Sequence, residues 1–169
     1  MTSYISQTEI TLDKYIEMTN HPVGKKARNN LKRWKTVKVA GIAVMAVTAA
    51  VCTLSGSAEI AVIAGAIGAA MAYQLLFQRK GQIKKRYAAT IRSMTDEKWV
   101  RTVTFDEKIT VADGNSSTVF SYSDYKWAAE NDKYYLIYRN EDVVLRVEKG
   151  SFIHGEEKNF LRWITNKLK

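Results

Sequence analysis

Two runs in this chain restrict the solvent it can fold in. "VAGIAVMAVTAAVCTL", residues 39–54, and "IAVIAGAIGAAMAYQLLF", residues 60–77, carry no charge and are separated by "SGSAE" alone. The uncharged stretches Val39–Ala58 and Ile60–Gln78 are 20 and 19 residues long. About 20 apolar residues, at about 1.5 Å of rise each, let a helix cross the roughly 30 Å hydrocarbon core of a bilayer. A soluble helical hairpin keeps a charged stripe toward water, yet Glu59 is the only charge between Val39 and Gln78. Residues 37–78 are therefore expected to form a two-helix transmembrane hairpin.

The flanks give an orientation. Lys25, Lys26, Arg28, Lys32, Arg33, Lys35 and Lys38 precede the first run, and Arg79, Lys80, Lys84, Lys85 and Arg86 follow the second, with no acid in either cluster. Lys and Arg near membrane ends stay cytoplasmic, so both termini are expected inside and "SGSAE" outside. Trp34 and Tyr73 suit interfacial positions. The clusters hold 12 of the 26 Lys and Arg, and the other 14 face 17 Asp and Glu. The basic charge thus belongs to the membrane edge, and a nucleic-acid partner is not expected, since that needs basic groups on the folded surface. The clusters serve first as topology signals. Their sharper use is contact with anionic lipid headgroups, at about 1 kcal/mol per charge near the surface.

About 36 mostly polar residues precede the first run, so a cleaved secretory signal is not expected. Cys52 follows Val51 rather than the small residue a lipoprotein site needs, and as the only cysteine it has no disulfide partner. In the second run Ala61, Gly65 and Ala69 form one row of small residues and Ala64, Gly68 and Ala72 another. Such rows let two backbones approach closely where lipid supplies no hydrophobic drive. One row is expected to meet Ala46 and Ala50 on the first helix, which leaves the other for homo-oligomers. Glu59 follows Ser57 by two residues, and an N-cap with an acid in the first turn explains it without proton coupling.

Outside the hairpin the pattern is that of a water-facing fold. Residues 1–36 hold a short strand, a helix capped at Thr11 with Leu12, Tyr15 and Ile16 at helical spacing, and the first basic cluster. Residues 79–96 read as a basic juxtamembrane helix with Ile83, Tyr87 and Ile91 on one stripe. From residue 97 the period becomes two: "WVRTVTF", "ITVA", "TVFSY", "KYYLIYR" and "EDVVLRV" alternate between turns, "DGN" among them. "GEEKNFLRWITNKLK" closes the chain as a helix with Phe160, Leu161, Ile164 and Leu168 on its buried stripe. Residues 97–169 are expected to form five or six antiparallel strands, a small sheet or partial barrel capped by the terminal helix. The fold class is an α+β membrane protein.

The order of these parts, with "TLDKYIE", "WVRTVTF", "FSYSDYKWAAENDKYYLIY" and the final "FIHGEEKNFLRW", resembles the YcxB-like bacterial membrane proteins. The resemblance implies a cytoplasmic pleckstrin-homology-like domain at the C-terminus, tethered to the bacterial inner membrane. One departure is "LRVEKGSF", where the family pattern leads one to expect a proline-containing "IPKxxF"-like string.

Motifs of chemistry are not found. His21 and His154 lie in unrelated segments, "HGEE" lacks a second zinc-spaced histidine, and no phosphate loop or nucleophile elbow occurs. Asp106 with Glu107 and Glu141 with Asp142 read as solvated turn carboxylates, and "NSS" at 115–117 as a turn rather than a glycosylation site. Neither a cofactor nor an enzymatic activity is expected. Among the aromatics, Tyr122, Trp127, Tyr134 and Tyr138 are the candidate groove, set against ordinary core packing. The expected function is a tethered interaction module that binds a protein partner or senses lipid. The alternatives are an immunity protein against a bacteriocin or toxin and, less well matched to so large a patterned domain, a holin-type pore.

Overall fold

The computed structural model describes residues 3–94 and 98–168. Both ends of the chain, Met1–Lys26 and Tyr87–Lys169, build one α+β unit, and Ala27–Arg86 builds a helical unit inserted between them. The expected division placed residues 1–36 apart from 97–169; its boundary at 96–97 lies outside the described residues. What joins the two ends is strand pairing that no local pattern announces.

α2 (Lys25–Leu54) is one helix of 30 residues, of which the helical unit holds all but Lys25 and Lys26. The returning helix runs from Ala58 to Arg92, as α3 (Ala58–Tyr73), a π-helical turn at Gln74–Gln78 and α4 (Arg79–Arg92). Both are long and apolar enough to cross a membrane, and of their most apolar windows only 0% and 6% are buried. Gly56 ends α2 in the left-handed region at φ 77°. There the Ser57 N–H reaches the Cys52 carbonyl at 2.8 Å and the Gly56 N–H the Thr53 carbonyl at 3.3 Å, which satisfies carbonyls that a helix end leaves open. Ser57 stands before α3 as expected, but its side chain makes no cap bond at φ −87°, ψ 64°, outside the extended conformation a capping serine adopts.

The α+β unit opens with β1 (Tyr4–Glu9) and α1 (Leu12–Asn20), where Thr11 accepts the Lys14 N–H at 3.4 Å as the expected cap. Then come β2 (Val100–Phe105), β3 (Ile109–Asp113), β4 (Ser116–Phe120), β5 (Trp127–Glu130), β6 (Tyr134–Tyr138), β7 (Val144–Glu148), β8 (Phe152–His154) and α5 (Glu157–Lys167). One antiparallel sheet has the order β4-β3-β2-β1-β8 and the other β5-β6-β7. β1 is an inner strand: Tyr4 pairs with Phe105 and Glu9 with Val100, while its other edge meets β8. Alternation sends Tyr4 and Ser6 inward, each 2% exposed, and the buried Ser6 hydroxyl finds that of Ser151 at 2.6 Å.

The core lies where α5 meets the sheets. Phe160 is fully buried, with ring centroids of Tyr4, Phe105, Tyr135 and Phe152 at 5.2, 4.9, 5.1 and 4.7 Å. Ile164, one turn further on, is also fully buried beside Val103, Ile109, Ile137 and Val147. The architecture is thus α+β, with two long apolar helices, antiparallel sheets and a C-terminal helix on the sheet core.

Candidate functional site

Of the basic residues flanking the apolar runs, all are exposed except Lys38 and Arg79, which are half-buried. Two contacts tie the helices together at this level. The Lys38 ammonium donates to the Gln74 amide oxygen at 2.5 Å, and the Arg79 guanidinium lies 5.6 Å from the Trp34 ring centre. Gln74 opens the π-helical turn; inserting an extra residue per turn shifts the helix phase, and such turns recur at functional places.

Lys25 and Lys26, at the start of α2, are not simply open to solvent. The tip of the β6–β7 hairpin meets them: the Lys25 N–H donates to the Glu141 carbonyl at 2.8 Å, its ammonium to the Glu141 carboxylate at 2.7 Å, and the Lys26 N–H to Asp142 Oδ1 at 2.6 Å. Asp142 therefore caps a helix from 116 residues away. Gly24 permits the approach, since a Cβ there would sit 2.5 Å from the Asp142 carbonyl oxygen. Glu141 and Asp142 do occupy a turn, but they hold the chain that enters α2 and are more than solvated turn acids.

Within the hairpin one small-residue row is used. Ala64 is 4% exposed, Gly68 and Ala72 are half-buried, and a Cβ on Gly68 would sit 3.3 Å from that of Met45. In the other row Ala61 is half-buried, whereas Gly65 and Ala69 are exposed and a Cβ on Gly65 would meet nothing within 4 Å. The facing helix uses Met45 and Gly41, the latter against Met71; Ala46 and Ala50 are exposed. The expected face was wrong by one residue, about 100° of helix rotation. A wholly apolar run offers no polar stripe to fix its phase.

Of the four candidate groove residues, Trp127 stands on β5, Tyr134 and Tyr138 on β6, and Tyr122 in the short turn before β5. Trp127 and Tyr138 are cross-strand partners stacked at 4.8 Å and 11°. Tyr122 stands elsewhere: its hydroxyl donates to the Asp106 carbonyl at 3.0 Å and its ring meets Trp163 at 6.1 Å. Burial, helped by the Asp106 charge, raises its pKa to about 12. Tyr134 borders an open cleft of about 240 Å³ between α1 and the β5–β7 sheet. Lys133 crosses that cleft to Glu17 at 2.5 Å, and its hydrogen bond holds the Glu17 carboxyl below the usual range. Arg146 donates to the His21 carbonyl at 3.3 Å, and burial lowers its pKa. Lys133 and Glu17 are thus spent on one another, and Arg146 on a backbone carbonyl. Among the described residues no group of three or more His, Cys, Asp or Glu side chains could hold a metal ion.

Two further constellations were not visible in the sequence. Tyr15, Tyr87 and Trp99 gather with centroid distances of 5.7, 5.5 and 6.4 Å, and the Tyr87 hydroxyl donates to the Ile10 carbonyl at 3.1 Å. Beside them Arg101 grips Asp113 with two bonds, 2.7 and 3.0 Å, and Trp99 Nε1 adds a third at 3.0 Å. Burial pushes the Asp113 carboxyl up, but those bonds and the guanidinium charge outweigh it, so its pKa lies below the ordinary 3.8. Comparison with known proteins gives no matching family model, no matching curated protein and no matching solved structure.

Proposed function

We propose that this chain is a non-catalytic protein of the bacterial inner membrane, similar to the YcxB-like proteins. In this reading α2 and α3 span the bilayer, and a cytoplasmic pleckstrin-homology-like domain presents an interaction surface at the membrane. The observation that carries the reading is the insertion of the apolar hairpin between two paired strands. β1 ends at Glu9, β2 begins at Val100, and the two pair along their whole length. A hairpin that crosses a bilayer between them must return to the side it left, as the basic flanks independently require. The outer surface of the helices supports insertion. Leu54 is 90% exposed, Val62 71% and Val47 64%, with Val44, Val51, Ile60, Ile63 and Ile67 exposed beside them. Apolar surface left in water forgoes about 25 cal/mol per Å², and lipid removes that cost. The succession of an antiparallel sheet, a second three-stranded sheet and a closing helix supports the pleckstrin-homology-like assignment.

Helix rise sorts the basic residues within this reading. At about 1.5 Å per residue, Lys35, Lys38, Arg79 and Lys80 lie within about 6 Å of the ends of the uncharged runs, where headgroups are. Lys25 and Lys26 lie about 20 Å along α2 from its apolar run, where Glu141 holds the Lys25 ammonium and Asp142 the Lys26 N–H. Lipid contact thus falls to the first group.

Thiol accessibility tests the topology. In a Cys52→Ser background, Ser57→Cys is expected to react with a membrane-impermeant reagent on intact cells, and Ser3→Cys and Asn166→Cys only after permeabilisation. Labelling of Asn166→Cys but not Ser57→Cys on intact cells would reverse the orientation. Opposite behaviour of Ser3→Cys and Asn166→Cys would remove the even number of crossings.

A further inference from the structure

The two sheets end in four edge strands, β4, β8, β5 and β7, and an exposed strand edge invites pairing with another chain unless something blunts it. Three of them are blunted. β8 is three residues long, and its register against β1 shifts between Ile5 and Ser6. β5 is four residues long, carries Glu130 bonded to Lys149, and has α5 packed against it. β7 carries Arg146 and Glu148, and Glu148 is held by Lys14 at 2.7 Å.

β4 has none of these devices. Its sequence is Ser-Ser-Thr-Val-Phe, without charge or proline, and it pairs with β3 over five residues with no bulge. Ser116, Ser117, Thr118 and Val119 are exposed, Val119 at 56%. Among the described residues, β3 is its only partner strand.

The geometry points to β4 as a homodimer interface, in which the strand pairs antiparallel with β4 of a second copy to make one sheet continuous across two molecules. The strand is suited to its own copy in particular. A two-fold axis through the middle of β4 sets Thr118 against Thr118, Ser117 against Val119 and Ser116 against Phe120. No charge would meet its like, and a hydroxyl pair would stand at the axis. Like charges directly opposite disfavour pairing, whereas Thr pairs favour it. One five-residue strand buries less than the roughly 1,000 Å² expected of a freestanding interface. Confinement of both copies to one membrane compensates by raising their effective concentration, and to that extent the inference rests on the anchored reading above.

The test uses the full chain in its membrane, with Cys52→Ser. Thr118→Cys is expected to form a disulfide-linked dimer under mild oxidation at least fivefold more than Asp132→Cys, an exposed turn position. Thr118→Lys alone and Thr118→Glu alone are expected to lose the dimer in native-gel or pull-down assays of differently tagged copies, whereas co-expressing the two restores it, because opposite charges then face each other at the axis. Equal cross-linking at the two cysteine positions, or a dimer indifferent to Thr118→Lys, would overturn the interface. Cross-linking of Thr118→Cys to a different protein instead would also overturn it and make β4 a docking edge for that chain. Failure of the anchored reading shows separately, as release of the protein from membranes by alkaline wash.

Discussion

Asp113 shows how much one side chain can organise. It lies opposite Arg101 in the β2–β3 register, and its carboxylate gathers donors from that guanidinium and from the Trp99 indole. Side chains of the pair are 25% and 27% exposed, so solvent screens them only partly. Because the folded pKa is depressed, the charge contributes stability above the unfolded value near 3.8, and that contribution disappears as pH falls through the folded value. Asp113→Asn is expected to cost about 1–2 kcal/mol at neutral pH, the range for hydrogen bonds to a charged group trimmed for exposure. Thermal unfolding of both forms from pH 7 to pH 2.5 checks this: the gap should hold down to about pH 4 and close below it. A gap unchanged at pH 2.5 would assign the cost to packing. The sequence displayed Arg101 and Asp113 but not their pairing, which depends on the hairpin register. Trp99 was legible only as one more strand residue, because its partner lies across the turn.

Among the elements, those with a strong local signal were legible and those held by distant contacts were not. Thr11 announced α1, "DGN" the β3–β4 turn, and the Phe160, Leu161, Ile164 stripe the terminal helix. β5 and β8, four and three residues long, are too short to show a period of two; β5 has Ala128 and Ala129 at its centre. The π-helical turn at Gln74–Gln78 left no mark in an apolar run, nor did the rotation that turns Met45 rather than Ala46 toward Gly68. The start of α2 is the clearest case, since its cap comes from another element. Asp142 accepts the Lys26 N–H, and loss of a capping oxygen costs about 1 kcal/mol. Asp142→Ala is therefore expected to speed amide hydrogen exchange at Lys26 about fivefold, while Asp142→Asn, which keeps an oxygen in place, stays near the native rate. Similar rates in Asp142→Ala and the native chain would mean that water replaces the cap without loss.

For the whole molecule the consequential fact is that a domain made of both chain ends is interrupted by a helical unit. β1 cannot be discarded as an N-terminal appendage: it separates β2 from β8, and Tyr4 packs on Phe160 at 5.2 Å and Trp163 at 4.8 Å. Its pairing with β2 spans some 95 residues, a separation at which sequence patterns are silent and only loop-closure entropy and packing decide. If the α+β unit is self-sufficient, the helical unit should be replaceable by any linker that joins Lys26 to Tyr87. About 12 Gly/Ser residues have a root-mean-square span of about 19 Å, and lengthening such a loop adds only about 0.6 kcal/mol per doubling. The chain with residues 27–86 so replaced is expected to be soluble and to unfold cooperatively. A version beginning at residue 87, without β1, should fail to fold, because the sheet loses an inner strand and the core loses Tyr4. Near-ultraviolet circular dichroism and denaturant titration distinguish the cases. Native-like unfolding of the chain lacking β1 would show that the N-terminal strand adds to the domain without completing it.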